Sequence, residues 1–330
     1  MDKRPVKKFI VITSIFRPTI AIERFAALPD YHLVVVGDKK SPADWSYPNC
    51  TYLDVQSQAE LAASFADAIP YNHYGRKMIG YVFAMQQGAD IIIDTDDDNI
   101  PNDNWTFPDF EGSFETSAPG LGWVNIYHRY SEQKIWPRGL PLRNIADSRD
   151  KLKIGDAVPA KVGIWQGLAD EDPDVDAIYR LTSDQPCIFT KAAPVVLEKG
   201  TICPFNSQNT AFRRELFPLL FLPSFVTFRF TDILRGIIAQ PILWQQDYRL
   251  GFTEATVVQK RNPHDYFKDF ESEVPMYLHT EKTYSTVMDA VKAGSVKDNL
   301  FTAYESLLRI GVVEEREMNV LGEWLKLCID

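Results

Sequence analysis

The segment GADIIIDTDDDNIP, residues 88–101, puts Asp94, Asp96, Asp97 and Asp98 within five positions at the end of an apolar run. Two like charges about 4 Å apart repel by about 4 kcal/mol at an effective dielectric near 20, and a domain is stable by only roughly 5–15 kcal/mol. Such a cluster needs compensation from a divalent cation, from nearby Arg or Lys, from backbone N–H groups or from full solvation. Alternate residues of an extended chain share one side, so Asp94, Asp96 and Asp98 point the same way. Hard cations such as Mg²⁺ and Mn²⁺ prefer oxygen ligands of this kind, and Mg²⁺ sites often add substrate phosphates. A solvated acidic turn that caps the next segment is the plainer alternative. An EF-hand loop is excluded in both registers. Counting from Asp94, positions 6 and 12 are Asn99 and Trp105; counting from Asp96 they are Pro101 and Phe107.

The elements that must position this cluster are legible upstream. KFIVITSIF is a short β-branched run suited to a buried parallel strand, TIAIERFAAL reads as a helix, and YHLVVVGDKK is a second strand ending at Gly37 and Asp38. SQAELAASFADAI is a helix ended by Pro70, and NHYGRKMIGYVFAMQQGA is another, with Met78, Tyr81, Val82 and Met85 on one face. ADIIID follows as a strand. Strand and helix therefore alternate over the first hundred residues, the pattern of an α/β parallel sheet, in which ligands bind beyond the carboxyl ends of the strands. The middle of the chain is richer in Pro, Gly and loops. Its end reads as three amphipathic helices, with Met318, Leu321, Leu325 and Cys328 as a stripe beside Trp324. The expected division is a catalytic body over 1–275 and a helical segment over 276–330 packed on it.

Composition narrows the classes. The chain has 330 residues, 45% hydrophobic and 12% aromatic, enough for a sizeable core and unlike a disordered chain. A net charge of −10 argues against general nucleic-acid binding, which needs clustered Lys and Arg. Cys50, Cys187, Cys203 and Cys328 lack the spacing of a zinc site and read as thiols in a reducing compartment. Asn49 and Asn104 match the glycosylation pattern by its short consensus alone. The basic, then apolar N-terminus is interrupted by Arg17 and Pro18 and reads as a first strand, not a signal peptide. No stretch approaches the ~20 apolar residues that span a bilayer, so the expected location is cytoplasmic.

An aspartate motif after a buried strand in an N-terminal α/β half resembles the DxD motif of GT-A glycosyltransferases. VVVGDKKSPADW, LPDYHL, IPYNHYGRKMIGYVFAMQQGADIIIDTDDD and FRFTDILRGIIAQPILW are similar to the domain shared by the plant STELLO proteins and their microbial relatives. IWPRGLPLRNI and CPFNSQNTAFRREL more loosely resemble the reversibly glycosylated polypeptides, which are UDP-arabinose mutases. The resemblance covers roughly residues 8–270. It implies a Rossmann-like mixed sheet flanked by helices, with the C-terminal helices as an extension. It also implies a nucleotide-sugar site, in which Thr13 and Arg17 face the nucleotide and Asp38 holds the base. Arg76 and Lys77 would pair with the base or the diphosphate. Asp96 and Asp98 would bind Mn²⁺ or Mg²⁺, with Asp94 and Asp97 orienting ribose or bound water, and His264 would be a further metal ligand. Two registers stay open, Asp94–Asp96–Asp97 and Asp96–Asp97–Asp98. Asp38 can equally be a turn residue, and Arg76 and Lys77 a solvated helical face.

For an inverting transferase the remaining need is a carboxylate that deprotonates the acceptor hydroxyl while the metal stabilises the leaving diphosphate. Asp232, at the start of a helix in FRFTDILRGIIAQPILW, is the candidate, with Arg229 and Arg235 nearby for phosphate or for the carboxylate itself. A helix N-cap is its plainer role. Asp170, Asp172, Asp174 and Asp176 either start a helix or, with Trp165 stacking on a sugar face, line the sugar or acceptor pocket. The implied activity is metal-dependent transfer from a UDP-sugar to a glycan or glycolipid in polysaccharide biosynthesis. Membrane contact would then be peripheral, through the acceptor. A sugar-nucleotide mutase and a non-catalytic scaffold of a glycan-synthesis complex are the alternatives.

Overall fold

The computed structural model describes residues 4–146, 151–261 and 265–328. Through the first half the elements are β1 (Lys8–Thr13), α1 (Ile20–Ala26), β2 (Tyr31–Val36), β3 (Cys50–Leu53), α2 (Val55–Ala68), α3 (Lys77–Gln86), β4 (Ile91–Thr95), β5 (Asn99–Pro101), β6 (Glu111–Ser117), β7 (Gly122–Trp123) and α4 (Tyr127–Tyr130). After them come β8 (Ile154–Asp170), α5 (Ala177–Thr182), β9 (Val195–Leu197), β10 (Thr201–Ile202), β11 (Asn209–Arg213), α6 (Thr231–Gln245), β12 (Arg249–Gln259), α7 (Tyr266–Ala290), α8 (Val296–Arg309) and α9 (Glu315–Leu327). Local chemistry sets several starts: the side chains of Thr19, Asp54 and Asp176 accept N-capping hydrogen bonds at α1, α2 and α5.

One ten-stranded mixed sheet carries the fold, in the order β3-β2-β1-β4-β11-β8-β6-β9-β12-β5. The first four strands in that order are parallel, and β11 then runs antiparallel to both β4 and β8. Side-chain alternation along the strands divides the core in two. Ile10, Ile12, Leu33 and Val35 face α1 through Ala21, Ile22 and Phe25; Val11, Val34 and Val36 face α3 through Met78, Ile79 and Val82. Gly80 lets α3 lie close on the sheet, because a Cβ there would meet Val11 Cγ1 at 2.5 Å and Val36 Cγ2 at 2.7 Å.

The middle of the chain, expected to be loop-rich, holds β8, which spans 17 residues. Its first part is an exposed ribbon paired with β6, where Pro159 faces Ser113; its second part is buried between β11 and β12. Glycine and proline interrupt the β-branched run here, which hides the strand from periodicity. The last three helices join the main core, where Met276, Val287, Tyr304 and Trp324 pack in the same cluster as the sheet. Helix α7 runs through residue 275, so no element ends at the expected division. In α9 the buried set is Glu317, Val320, Leu321 and Trp324, with Met318 and Leu325 only partly covered, so the inward stripe is rotated from the expected one. Among the described residues no helix is long and apolar enough to cross a membrane.

Candidate active site

The carboxyl ends of β1, β2 and β4 open into one cavity of about 350 Å³. Thr13 and Ser14 continue β1 into it, Gly37 and Asp38 continue β2, and Asp96, Asp97 and Asp98 form the turn between β4 and β5. Its opposite side is built by segments distant in sequence, through Arg138, Ser207, Arg229, Asp232, Gln259 and Arg261. Tyr74 and Phe228 meet edge to face at 4.7 Å as an aromatic wall, with His73 stacked on Tyr74.

The four clustered aspartates have different fates. Asp94, fully buried, accepts from Lys77 Nζ at 2.9 Å and from Arg235 Nη1 at 2.7 Å. Lys77, also fully buried, donates to Asp96 Oδ1 and to the Thr95 carbonyl, each at 2.7 Å. Burial pulls the Lys77 ammonium down, but Asp94 and Asp96 outweigh it and hold it above the usual lysine range. The Asp96 side chain keeps 38% of its surface open to the cavity. Desolvation, with repulsion from Asp98 and Asp94, pushes its pKa up to about 6 against the pull of Lys77. Asp97 Oδ2 accepts from Ser14 Oγ, and its carbonyl accepts from Thr19 Oγ1. Asp98 Oδ2 accepts from Gln259 Nε2 at 3.1 Å, while its Oδ1 is buried without a hydrogen-bond partner. Burial raises the pKa of both Asp97 and Asp98.

Compensation from protein cations is therefore complete at Asp94 and partial at Asp96. A buried carboxylate oxygen without a donor is costly unless a ligand or cation meets it. Asp96 and Asp98 fit a divalent cation bound by two carboxylates with the remaining positions left to water or phosphate, as Mg²⁺ is often held. Among the described residues no cluster of three or more His, Cys, Asp or Glu has the geometry of a preformed metal cage. His264, expected as a ligand, lies outside the described residues.

Across the cavity Arg138 joins two segments. Its Nε and Nη2 donate to Asp174 at 2.7 and 2.8 Å, and its Nη1 and Nη2 donate to Asp232 at 3.1 and 2.9 Å. Nη1 also donates to the Arg229 carbonyl. Asp232 opens α6 as expected and borders the cavity, and it accepts further from the Ser207 N–H. Burial pushes its carboxyl up, but Arg138, Arg235 and Arg229 together hold it below the usual carboxylate range. It is thus ionised at neutral pH and a weakened proton acceptor. It is not the side-chain cap of α6; its backbone N–H donates to Tyr74 Oη at 3.0 Å.

Of the residues singled out from the sequence, Thr13, Asp38, Arg76, Asp96, Asp97, Asp98, Arg229 and Asp232 border the cavity. Asp38 accepts from the His73 and Lys39 N–H groups, a turn arrangement at the mouth of the site. Arg76 is buried, donates to Gln58 Oε1 and to the Ala66 and Ile69 carbonyls, and lies over the Tyr71 ring. Seven others are not brought to the cavity. Lys77, Asp94 and Arg235 are sealed beneath it as a buried charge network, so Asp94 and Lys77 are not free to touch a donor. Arg17 is exposed and pairs with Asp44. Trp165 is fully buried in the α1-side core, its indole N–H on the Asp109 carbonyl, so it cannot stack on a sugar. Asp170 caps the Phe189 N–H away from the cavity, and Asp176 is the N-cap of α5. Ser14, His73, Tyr74, Arg138, Ser207, Phe228, Gln259 and Arg261 border the cavity and were not singled out. Arg138 and Tyr74 stand inside quoted segments, but nothing local marks them, because their partners are 94 and 158 residues away.

No family model matches the chain. Over 258 residues it is 31% identical to the protein named probable glycosyltransferase STELLO2 of Arabidopsis thaliana, a match covering 72% of this chain and 34% of that protein. Over 260 residues it is 30% identical to probable glycosyltransferase STELLO1 of the same plant, with the same coverage of each. The chain is therefore a homologue of proteins named as glycosyltransferases. Within that class it is STELLO-like over the 72% of its length that matches. It spans about a third of the length of these curated relatives, 34% of each.

Proposed function

We propose that the cavity binds a nucleotide-sugar together with a divalent cation and that the protein is a glycosyltransferase of the GT-A type. The observation that carries this reading is the pairing, in one cavity at the carboxyl ends of parallel strands, of carboxylates that the protein compensates only in part with a cationic wall. The names of the two relatives support the same class. Thr13, Gly37 and Asp38 stand where the nucleoside would lie, at the ends of β1 and β2. Asp96 and Asp98 would hold Mn²⁺ or Mg²⁺, which supplies charge stabilisation to the leaving diphosphate. Asp97, tied to Ser14, braces the turn that presents them. Asp232 faces the acceptor side. Its Arg138 pair keeps it ionised and fixed, so it can take a proton from an acceptor hydroxyl only at reduced basicity. Tyr74 and Phe228 offer rings on which a sugar or glycan can rest. Inversion, a UDP donor and a glycan or glycolipid acceptor are parts of the same proposal.

Calorimetric titration with UDP, GDP and ADP, with and without Mn²⁺, tests it. The expected result is binding of a nucleoside diphosphate that requires Mn²⁺ and is lost in Asp98→Asn. Absence of cation-dependent binding in the native protein would refute the reading.

A further inference from the structure

Arg261 borders the cavity beside Gln259 and Asp98, and its Nε is buried without a hydrogen-bond partner. No hydrogen bond or ion pair ties its guanidinium to any of the described residues. The other cavity-side arginines are occupied: Arg138 holds Asp174 and Asp232, Arg229 holds Glu273 at 2.8 Å, and Arg76 holds Gln58. Burial first, and then repulsion from Arg229 and Arg180 against the pull of Asp174 and Asp269, hold the Arg261 guanidinium below the usual arginine range, and Asp98 feels its attraction. A half-buried guanidinium among other guanidinium groups is unfavourable until an anion reaches it. Planar N–H groups in a fixed fork suit a phosphate or carboxylate above all.

We propose that Arg261 is an oxyanion-binding subsite on the β12 side of the cavity that takes an oxygen of the nucleotide-sugar. The inference rests on the transferase reading above and adds a residue and a ligand chemistry to it. The oxyanion has two sources: the terminal phosphate of the diphosphate, or a carboxylate on the transferred sugar. Asp98 Oδ1, also buried without a hydrogen-bond partner, would meet the cation that accompanies either.

The test is calorimetry in Mn²⁺ with UMP, UDP, UDP-glucose and UDP-glucuronate, on the native chain, Arg261→Gln and Arg261→Lys. Loss of a charged hydrogen bond predicts roughly ten- to hundredfold weaker binding in R261Q, with a smaller loss in R261K. Weakened UDP with unchanged UMP identifies the diphosphate as the source. Unchanged UDP with weakened UDP-glucuronate, but not UDP-glucose, identifies the sugar carboxylate. Affinities in R261Q that stay within twofold of the native chain's for all four ligands overturn the subsite while leaving the transferase reading in place. A native chain that binds none of them removes both. Because Arg261 has no hydrogen-bond or ion-pair partner to lose among the described residues, R261Q should melt at or above the native midpoint; a marked drop would show a structural role and overturn the inference.

Discussion

Replacing Lys77 by Met removes the cation beneath the aspartate turn while keeping a side chain of similar length. At 2.7–2.9 Å and an effective dielectric near 20, each of its two carboxylate contacts carries a gross attraction of about 6 kcal/mol. Recovered desolvation of the ammonium cancels much of that. The Asp96 side chain is 38% exposed, so solvent screening reduces its share to about 0–1 kcal/mol. Asp94 is fully buried and keeps only Arg235, so nearly the whole cost falls there. Removing one partner of a buried pair costs about 3–5 kcal/mol, and the remaining Arg235 contact places this case near 3. With a urea slope of about 3 kcal/mol per molar, the unfolding midpoint should fall by about 1 M. Double-mutant cycles locate the effect. Coupling of Lys77→Met to Asp94→Asn should exceed about 1 kcal/mol and be larger than its coupling to Asp96→Asn. If Asp96 couples as strongly as Asp94, the division between a sealed charge network and an open ligand carboxylate is wrong.

Two further outcomes follow from packing and titration. Glu317 is buried and accepts from the Ser224 and Phe225 N–H groups at 2.8 Å, bracing the segment that leads to Phe228, and burial pushes its pKa up to about 7. The folded protein then holds a proton that the unfolded chain loses near its ordinary value of about 4.5. This contribution is therefore complete below that pH and fades as pH rises through about 7, a change of roughly 3 kcal/mol. Urea titrations at pH 4.5 and 8 should show the native chain losing that much stability relative to Glu317→Gln; a constant difference would contradict the burial argument. Gly236→Ala would put a Cβ 2.2 Å from the Phe205 carbonyl oxygen. Overpacking should outweigh the helix-propensity gain of about 1 kcal/mol and lower stability by about 1–2 kcal/mol, and an unchanged melting midpoint would show that α6 can shift freely.

The sequence by itself determined the alternation of β1, α1, β2, α3 and β4, because hydrophobic period and β-branching act over a few residues. It also determined that acidic side chains crowd the end of β4 and that Asp232 opens a helix. Tertiary structure alone decided which carboxylates face a ligand. Asp94 and Asp96 share a side of the strand by local geometry, yet Arg235, brought from α6 by long-range packing, joins Lys77 in sealing the first and leaves the second open. The same holds for Arg138 with Asp174 and Asp232, for Arg261 beside Asp98, and for Trp165, whose place in the α1-side core follows from how β8 pairs with β11 and β12. Charge type and spacing are written along the chain, but burial and pairing between residues a hundred positions apart come into being only when the sheet is assembled.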